Sequence, residues 1–263
     1  MNKLDYCYHN HTERCGHARG TDEQFVLEAI KNNIKVLGFS DHIFLKNIDL
    51  PSNRGSYNQL DDYIDSINSL KKKYQDEIEI HLGFEAEYYP EYVSYYKELL
   101  ESKKIEYLIL GQHCFIKDGK LAFYGLQKNK RKATLKYTKD IIKGMKTGLF
   151  KYVCHPDYFI YWTGKDTPLF KRCSKRIIKA AIKYDLALEI NLGGIRNPNL
   201  PKEGKYACED FFELVGKLGG KVIVGIDAHD PQDYVISDIE YAYYLINKYS
   251  LKEVRRLDFK NNC

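Results

Sequence analysis

The chain has 263 residues, of which 44% are hydrophobic and 29% are charged, and its formal net charge is +5. These proportions are typical of an ordinary soluble globular protein and argue against a disordered chain. No apolar run approaches the roughly 20 residues that cross a bilayer, and the N-terminus lacks the apolar core of a signal peptide. We therefore predict a cytoplasmic protein that does not bind membranes.

The seven cysteines occur singly, without a CxxC pair. This usage is consistent with reduced thiols in the cytosol and gives no sign of a zinc ribbon. The lysines are spread along the chain, with short dense runs at residues 71–73 and 128–132. Such runs usually form solvated surfaces, so nucleic-acid binding is not predicted, although the modest positive charge favours a small anion.

Short apolar runs alternate along the chain with amphipathic segments. The predicted strands lie at residues 4–8, 36–39, 78–84, 107–110, 152–154, 187–192 and 221–226. The predicted helices lie at residues 21–33, 61–73, 91–101, 134–146, 170–184, 209–218 and 238–248. Thr21 to Gln24 has the form of a capping box, and Gly148 is placed to end the fourth helix. Residues 117–125 are predicted to form a loop or a hairpin.

This alternation favours parallel βαβ units over an antiparallel sandwich. Polar groups follow nearly every predicted strand, which favours a closed α/β barrel, because such barrels carry their sites in a ring at one face. A doubly wound open sheet is the alternative, but it would concentrate those groups at one switch point. No linker divides the chain, so we predict a single domain over residues 1–263.

The histidines are placed in a way that indicates metal binding. Seven of the eight follow directly after predicted strands, and only His81 lies inside one. His9 and His11 are two residues apart, so their side chains point the same way along a strand, and Asp227 and His229 repeat this spacing. Imidazoles gathered with carboxylates favour a bound ion, because buried polar groups without partners are costly. Mixed nitrogen and oxygen ligands favour zinc, manganese or iron over calcium or magnesium.

Six motifs occur in order along the chain. They are His9-Asn10-His11-Thr12 followed by His17, Ser40-Asp41-His42, Gly83-Phe84-Glu85, Gly111-Gln112-His113, His155-Pro156-Asp157 and Gly225-Ile226-Asp227-Ala228-His229-Asp230. This set resembles the motifs of the PHP (polymerase and histidinol-phosphatase) superfamily, and it is most similar to the stand-alone histidinol-phosphate phosphatases. The resemblance implies a distorted (β/α)7 barrel, similar to a TIM barrel, with a trinuclear metal centre.

The resemblance also implies nine ligands for two to three divalent transition-metal ions. They are His9, His11, Glu85 and Asp227 for a first ion, Glu85, His113 and His155 for a second, and His17, His42 and His229 for a third. We predict Asp227, His229 and Arg196 as catalytic residues. Arg196, His42 and Glu87 are predicted to contact the substrate.

Two of these residues have alternative interpretations. Glu87 shares a strand face with Glu85, and the alternative for Glu87 is a salt-bridge partner beside the site. Arg196 follows the sixth strand, where it is expected to clamp phosphate, and the alternative is a surface arginine. Some family phosphatases carry a further arginine shortly after the histidine of the fifth strand, whereas residues 158–162 contain none.

The function implied by the resemblance is that of a metal-dependent phosphomonoesterase acting on L-histidinol phosphate in histidine biosynthesis. Two or three cations would lower the pKa of a bridging water, so that hydroxide attacks phosphorus in line, and would neutralise the developing charge. One alternative is a phosphoesterase acting on nucleotides or another small phosphomonoester. A second is a metal-binding regulatory module without turnover, against which the complete ligand set argues. A homo-oligomer is compatible with the sequence.

Overall fold

In the computed structural model, which describes residues 4–48, 50–200 and 204–259, parallel strands alternate with helices. The strands are β1 (Tyr6–Cys7), β2 (Val36–Phe39), β3 (Glu79–Ala86), β4 (Tyr107–Leu110), β5 (Cys114–Lys117), β6 (Lys120–Phe123), β7 (Tyr152–Val153), β8 (Ala187–Asn191), β9 (Lys221–Gly225) and β10 (Lys252–Glu253). The helices are α1 (Asp22–Lys31), α2 (Leu60–Lys73), α3 (Val93–Glu101), α4 (Lys130–Lys146), α5 (Ile160–Thr163), α6 (Pro168–Lys183), α7 (Gly193–Arg196), α8 (Glu209–Leu218) and α9 (Ile236–Lys248). None of the described helices combines the length and apolar composition that a bilayer crossing requires.

The parallel strands form one curled sheet in the order β1, β2, β3, β4, β7, β8, β9, β10. A parallel bridge between Asn10 and Ala228 joins the two sides of the sheet just beyond the C-terminal ends of β1 and β9. Nearer the other end, the Tyr6 hydroxyl accepts a hydrogen bond from the backbone of Val224 and donates one to Glu253. The predicted distorted (β/α)7 barrel is therefore confirmed, and the alternative of a doubly wound open sheet is not. Strand β10 is a short eighth parallel strand that was not predicted.

Helix ends follow the capping signals of the sequence. Thr21 and Gln24 form the predicted capping box at the start of α1, each side chain bonding to the other's backbone N–H. Helix α4 begins one turn earlier than predicted, because the side chain of Asn129 caps its first turn. Gly148 follows the end of α4 with a φ of 74°, a left-handed conformation that glycine adopts without steric cost.

The elements that periodicity did not reveal are short. Helices α5 and α7 are single turns of 4 residues, and β10 has 2 residues. A pattern of apolar positions needs more residues than these to become visible. The segment predicted as a loop or hairpin is an antiparallel hairpin of β5 and β6. Helices α5 and α7 follow β7 and β8, so they add to the same end of the barrel as the polar motifs.

His81 is separated from the other histidines by its position in β3. Its Nδ1 lies 2.7 Å from the carboxylate of Glu106, and its Nε2 lies 2.8 Å from that of Glu79. Its ring also contacts Phe259, with 4.1 Å between the ring centroids. Both ring nitrogens are thus occupied by carboxylates near the N-terminal end of the strand, and His81 belongs to the structure of that end of the barrel.

Candidate metal centre

The C-terminal ends of the barrel strands bring all nine predicted ligands together. His9 and His11 follow β1, His17 lies in the loop before α1, His42 follows β2, Glu85 lies in β3, His113 follows β4, His155 follows β7, and Asp227 and His229 follow β9. They lie in and beneath a cavity of about 670 Å³. The cavity is lined by His11, His17, His42, Asn53, Glu85, His113, Phe123, Tyr158, Tyr161, Gly193, Arg196, Asn197, Pro198, Asn199, Leu200, Tyr206, Asp227, His229 and Asp233.

The first group contains the two histidines that follow β1. Nε2 of His9 lies 3.1 Å from Nε2 of His11, as expected for side chains two residues apart in extended backbone. Oδ1 of Asp227 lies 3.4 Å from Nε2 of His9 and 3.3 Å from Nε2 of His11. Three ligand atoms from opposite ends of the chain thus face one point, within 4.8 Å of one another.

The second group is formed by Glu85, His113 and His155. Oε1 of Glu85 lies 2.8 Å from Nε2 of His155 and 3.6 Å from Nε2 of His113. The two imidazole nitrogens are 3.1 Å apart. Gly111 makes room for this carboxylate, because a Cβ at that position would lie 1.7 Å from Oε1 of Glu85.

Glu85 also faces the remaining ligands with its second oxygen. Oε2 lies 3.5 Å from Nε2 of His11 and 2.9 Å from Nδ1 of His42. The carboxylate is 1% exposed, and its two oxygens face different groups of imidazoles. A carboxylate in this position can bridge two cations.

The third group consists of His17, His42 and His229. Its hydrogen bonds show most directly whether a cation fits. Nδ1 of His17 lies 3.1 Å from the carbonyl oxygen of Cys15, and Nδ1 of His229 lies 3.2 Å from that of Asp227. Carbonyl oxygens only accept hydrogen bonds, so both imidazoles carry their proton on Nδ1 when neutral. The two Nε2 lone pairs then face each other at 3.0 Å, with His42 in the same group. Such an arrangement is favourable when a cation binds both nitrogens.

The carboxylates of the centre are held in their ionised form. Burial acts to raise the pKa of Asp227, but the surrounding imidazoles, His9 foremost, outweigh it and hold that pKa well below its usual range. Burial likewise acts to raise the pKa of Glu85, and the imidazoles led by His113 hold it well below its usual range. Both groups are therefore anionic at neutral pH, as metal ligands must be.

Several imidazoles are held neutral. Burial and the neighbouring His229 lower the pKa of His11 well below its usual value. The same causes lower the pKa of His17 to about 4. Burial also lowers the pKa of His42, although Glu85 opposes the shift. A neutral imidazole offers a lone pair, so these side chains are in the state that binds a cation.

The amino-acid sequence matches a known protein family. A family model described as the PHP domain matches residues 8–193, which is more than half of the 263 residues. The chain belongs to the PHP family. The membership confirms the resemblance that the ordered motifs indicated.

Two relatives of this PHP protein have names that describe an activity. The chain is 27% identical over 267 residues to the histidinol-phosphatase of Lactococcus lactis, with 97% of this chain and 94% of the relative covered. It is 25% identical over 236 residues to a protein named probable histidinol-phosphatase from Deinococcus radiodurans, with 85% of each covered. The similarity therefore extends over nearly the whole length of the relatives.

A solved structure has a similar fold. It is the crystal structure of histidinol phosphate phosphatase from Lactococcus lactis, complexed with zinc, L-histidinol and phosphate. The TM-score is 0.75 at 23% identity, with 97% of this chain and 99% of that chain covered. This likeness supports the barrel fold of the PHP chain.

Sequence reasoning missed a buried carboxylate beneath the centre, Glu189 in β8. Its Oε1 lies 2.7 Å from Nδ1 of His9, and its Oε2 accepts hydrogen bonds from the backbone of His155 and the side chain of Asn191. Asn191 also donates to Asp227 at 3.0 Å. The signal was available, because an acidic residue interrupts an otherwise apolar run in a buried strand of this PHP barrel.

Arg196 lies at the cavity, as predicted, but most of its donors have partners. Nη2 donates to the backbone carbonyls of Ile226 and Asp227, at 2.7 and 3.2 Å. Nε lies 3.4 Å from Asp233, and Nη1 lies 3.4 Å from Asp238. The guanidinium thus holds the loop that carries two predicted ligands, and it also lines the cavity.

The backbone at Asp227 is in the left-handed region, with a φ of 51°, and His155 has a φ of 27°. Non-glycine residues rarely adopt such angles, and they persist where the surrounding structure fixes them. At Asp227 the fixing contacts include the hydrogen bond from Arg196. These two predicted ligands therefore lie on backbone that the surrounding contacts hold in an uncommon conformation.

The other two predicted substrate contacts differ in position. His42 lines the cavity and is 4% exposed, so it lies where a substrate could reach it. Glu87 is fully buried and is absent from the cavity lining, and its carboxylate lies 2.9 Å from Nη2 of Arg54. The structure thus places Glu87 in the alternative position, that of a salt-bridge partner beside the PHP centre, and a direct substrate contact does not fit it.

Proposed function

We propose that this PHP protein is a metal-dependent phosphomonoesterase whose substrate is L-histidinol phosphate. The observation that carries the proposal is the facing Nε2 pair of His17 and His229, 3.0 Å apart with both Nδ1 atoms at carbonyl oxygens. The two other groups of ligands lie at the same end of the barrel strands. The names of the relatives, together with the zinc, histidinol and phosphate in the Lactococcus structure, support the choice of substrate.

The nine ligands form three groups, and we propose one divalent ion for each. The mixed nitrogen and oxygen ligands suit zinc, and they also suit manganese and iron. When bound, such ions bind phosphoryl oxygens and make water acidic enough to act as a nucleophile near neutral pH. Glu85 would belong to two groups, since its two oxygens face different imidazoles.

The residues around the cavity suit a small phosphate ester with a cationic, aromatic leaving group. Arg196 supplies positive charge beside the ligands, which suits the phosphate. Apart from the two predicted ligands, Asp233 is the carboxylate in the described lining, and we propose that it pairs with the ammonium of the alcohol. Tyr158, Tyr161 and Phe123 provide flat apolar faces for an imidazole. Hydrolysis joins the oxygen of water to phosphorus and breaks the bond from phosphorus to the ester oxygen, and a proton of that water goes to the alcohol as it leaves.

Other predictions accompany this function without being tested by the structure. We propose that residues 1–263 form one PHP-type domain, because no linker interrupts the sequence. A cytoplasmic location and the absence of nucleic-acid binding are predictions from composition, and a homo-oligomer is compatible with the sequence. We propose Asp227 and His229 as catalytic residues because each completes a group of predicted metal ligands.

A substrate panel tests the proposal. Zinc- or manganese-loaded protein is expected to release phosphate from L-histidinol phosphate at least about 100-fold faster than from generic phosphomonoesters, because the cavity matches the amine and ring as well as the phosphate. Initial rates of phosphate release across histidinol phosphate, sugar phosphates and nucleotides give the comparison. A DNA end is included as well.

Equal, slow turnover of every ester would contradict histidinol phosphate as the substrate while keeping phosphoester hydrolysis. Release of nucleotides from the DNA end would favour the nucleotide alternative. No turnover by protein that holds its metal ions would favour the regulatory module.

A further inference from the structure

Arg54 and Glu87 form an ion pair inside the protein that is not part of the nine ligands. Arg54 is 1% exposed and Glu87 is 0% exposed, with 2.9 Å between Nη2 and Oε1. Removing two charges from water is costly, so a buried pair often stabilises a fold no more than well-packed apolar residues would. Fold stability alone therefore does not account for this pair.

Glu87 also faces a predicted ligand. Its Oε1 lies 3.5 Å from Nδ1 of His113, an atom without a hydrogen-bond partner among the described residues. Nε2 of the same ring points to the centre, 3.1 Å from His155 and 3.6 Å from Glu85. A carboxylate beside Nδ1 favours the proton on that nitrogen and leaves the Nε2 lone pair for a cation. Glu87 is thus placed where it favours one tautomer and one orientation of His113.

Arg54 holds Glu87 and the cavity wall together. Its Nη1 donates to the carbonyl of Ile43, the residue after His42, at 3.1 Å. Its Nη2 donates to Oδ1 of Asn53 at 3.1 Å as well as to Glu87, and Asn53 lines the cavity. The guanidinium of Arg54 therefore fixes three groups. They are the backbone beside His42, the carboxylate of Glu87 beside His113, and the side chain of Asn53 in the cavity wall.

One oxygen of Glu87 is engaged by donors that are not predicted metal ligands. Glu87 lies two residues after Glu85, on the same face of the chain, so a free carboxylate there could reach toward the ions. Its Oε1 instead receives Arg54 and the thiol of Cys114, the latter at 3.3 Å. We propose that Arg54 and Glu87 are positioning residues that preset His113 for metal binding. This inference rests on the proposed metal centre.

A double variant separates positioning from fold stability. Replacing the pair by apolar residues, Arg54→Met with Glu87→Leu, removes both buried charges and leaves neither one unpaired. A purely structural pair predicts a folded protein with unchanged zinc affinity. A positioning pair predicts a folded protein in which one zinc ion binds roughly 10- to 100-fold more weakly, the range found when groups behind metal-bound histidines are removed. Competition with a chromophoric chelator measures the affinity, and excess zinc should restore much of kcat.

Glu106→Gln is the matched control, because it removes a carboxylate from His81 Nδ1 outside the metal centre. It should leave zinc affinity unchanged. Wild-type protein without zinc binding would contradict the proposed function itself. Equal zinc affinity of the wild type and the folded double variant would overturn only the positioning role.

Should the double variant fail to fold, the wild-type protein still provides a test. Long-range ¹H–¹⁵N spectra of the zinc-loaded protein report the tautomer of each histidine. His113 is expected to carry its proton on Nδ1 and to bind zinc through Nε2. Zinc bound through Nδ1 of His113, or a deprotonated Nδ1, would overturn the proposal.

Discussion

Glu85→Gln is expected to reduce phosphate release from histidinol phosphate by at least about 1,000-fold, which corresponds to roughly 4 kcal/mol of transition-state stabilisation. Glutamine has nearly the same shape but carries no charge and has one oxygen. The two oxygens of Glu85 face different groups of imidazoles, at 2.8 Å from His155 and 3.5 Å from His11. The variant should therefore lose two zinc ions per chain.

The third group provides an internal control for this variant. Of its three members, His42 lies 2.9 Å from Glu85, whereas Nε2 of His17 and Nε2 of His229 face each other 3.0 Å apart, so the ion between those two should remain. Metal analysis after zinc loading and desalting, together with circular dichroism, separates metal loss from unfolding. An unchanged zinc content in folded Glu85→Gln would contradict the bridging position of Glu85.

Arg196→Ala is expected to raise the KM for histidinol phosphate about 10- to 100-fold, because a charge-assisted hydrogen bond to phosphate contributes about 1.5–3 kcal/mol. Arg196→Lys should raise it less, since lysine keeps the charge but loses the planar fork. Arg196 also donates to the carbonyls of Ile226 and Asp227. Steady-state kinetics and zinc content must therefore be measured on the same samples.

Arg255→Ala is a suitable control for Arg196→Ala, because Arg255 pairs with Asp5 and Glu253 and does not line the cavity. It should leave KM and zinc content unchanged. Loss of zinc with an unchanged KM in Arg196→Ala would contradict the phosphate contact and assign Arg196 to holding the loop. With residues 158–162 free of arginine, no second guanidinium in that segment would mask the effect.

The barrel could be predicted because its signals are local. Buried parallel strands read as short apolar runs, and polar motifs at their ends indicate which face carries the site. His9 and His11 converge because the side chains of a strand alternate with a period of two. The cluster with Asp227 then follows from closure of the sheet, which the bridge between Asn10 and Ala228 provides.

The parts that could not be predicted depend on tertiary contacts. Arg54 lies in a polar loop between a strand and a helix, where an arginine is usually solvated, and nothing local shows that it reaches Glu87. Asp233 ends a short 3-10 helix that follows β9, and its place in the cavity wall depends on how that helix packs. Glu189 differs, because an acidic residue within a buried apolar strand is a visible signal that a partner is present.

Zinc titration of chelator-stripped protein, followed by phosphate release from L-histidinol phosphate, tests the metal-dependent phosphatase most directly. The proposed centre predicts no release from the metal-free protein and a rate that saturates at three zinc ions per chain. Undiminished release from metal-free protein, or saturation at fewer than three ions, would contradict the proposed centre.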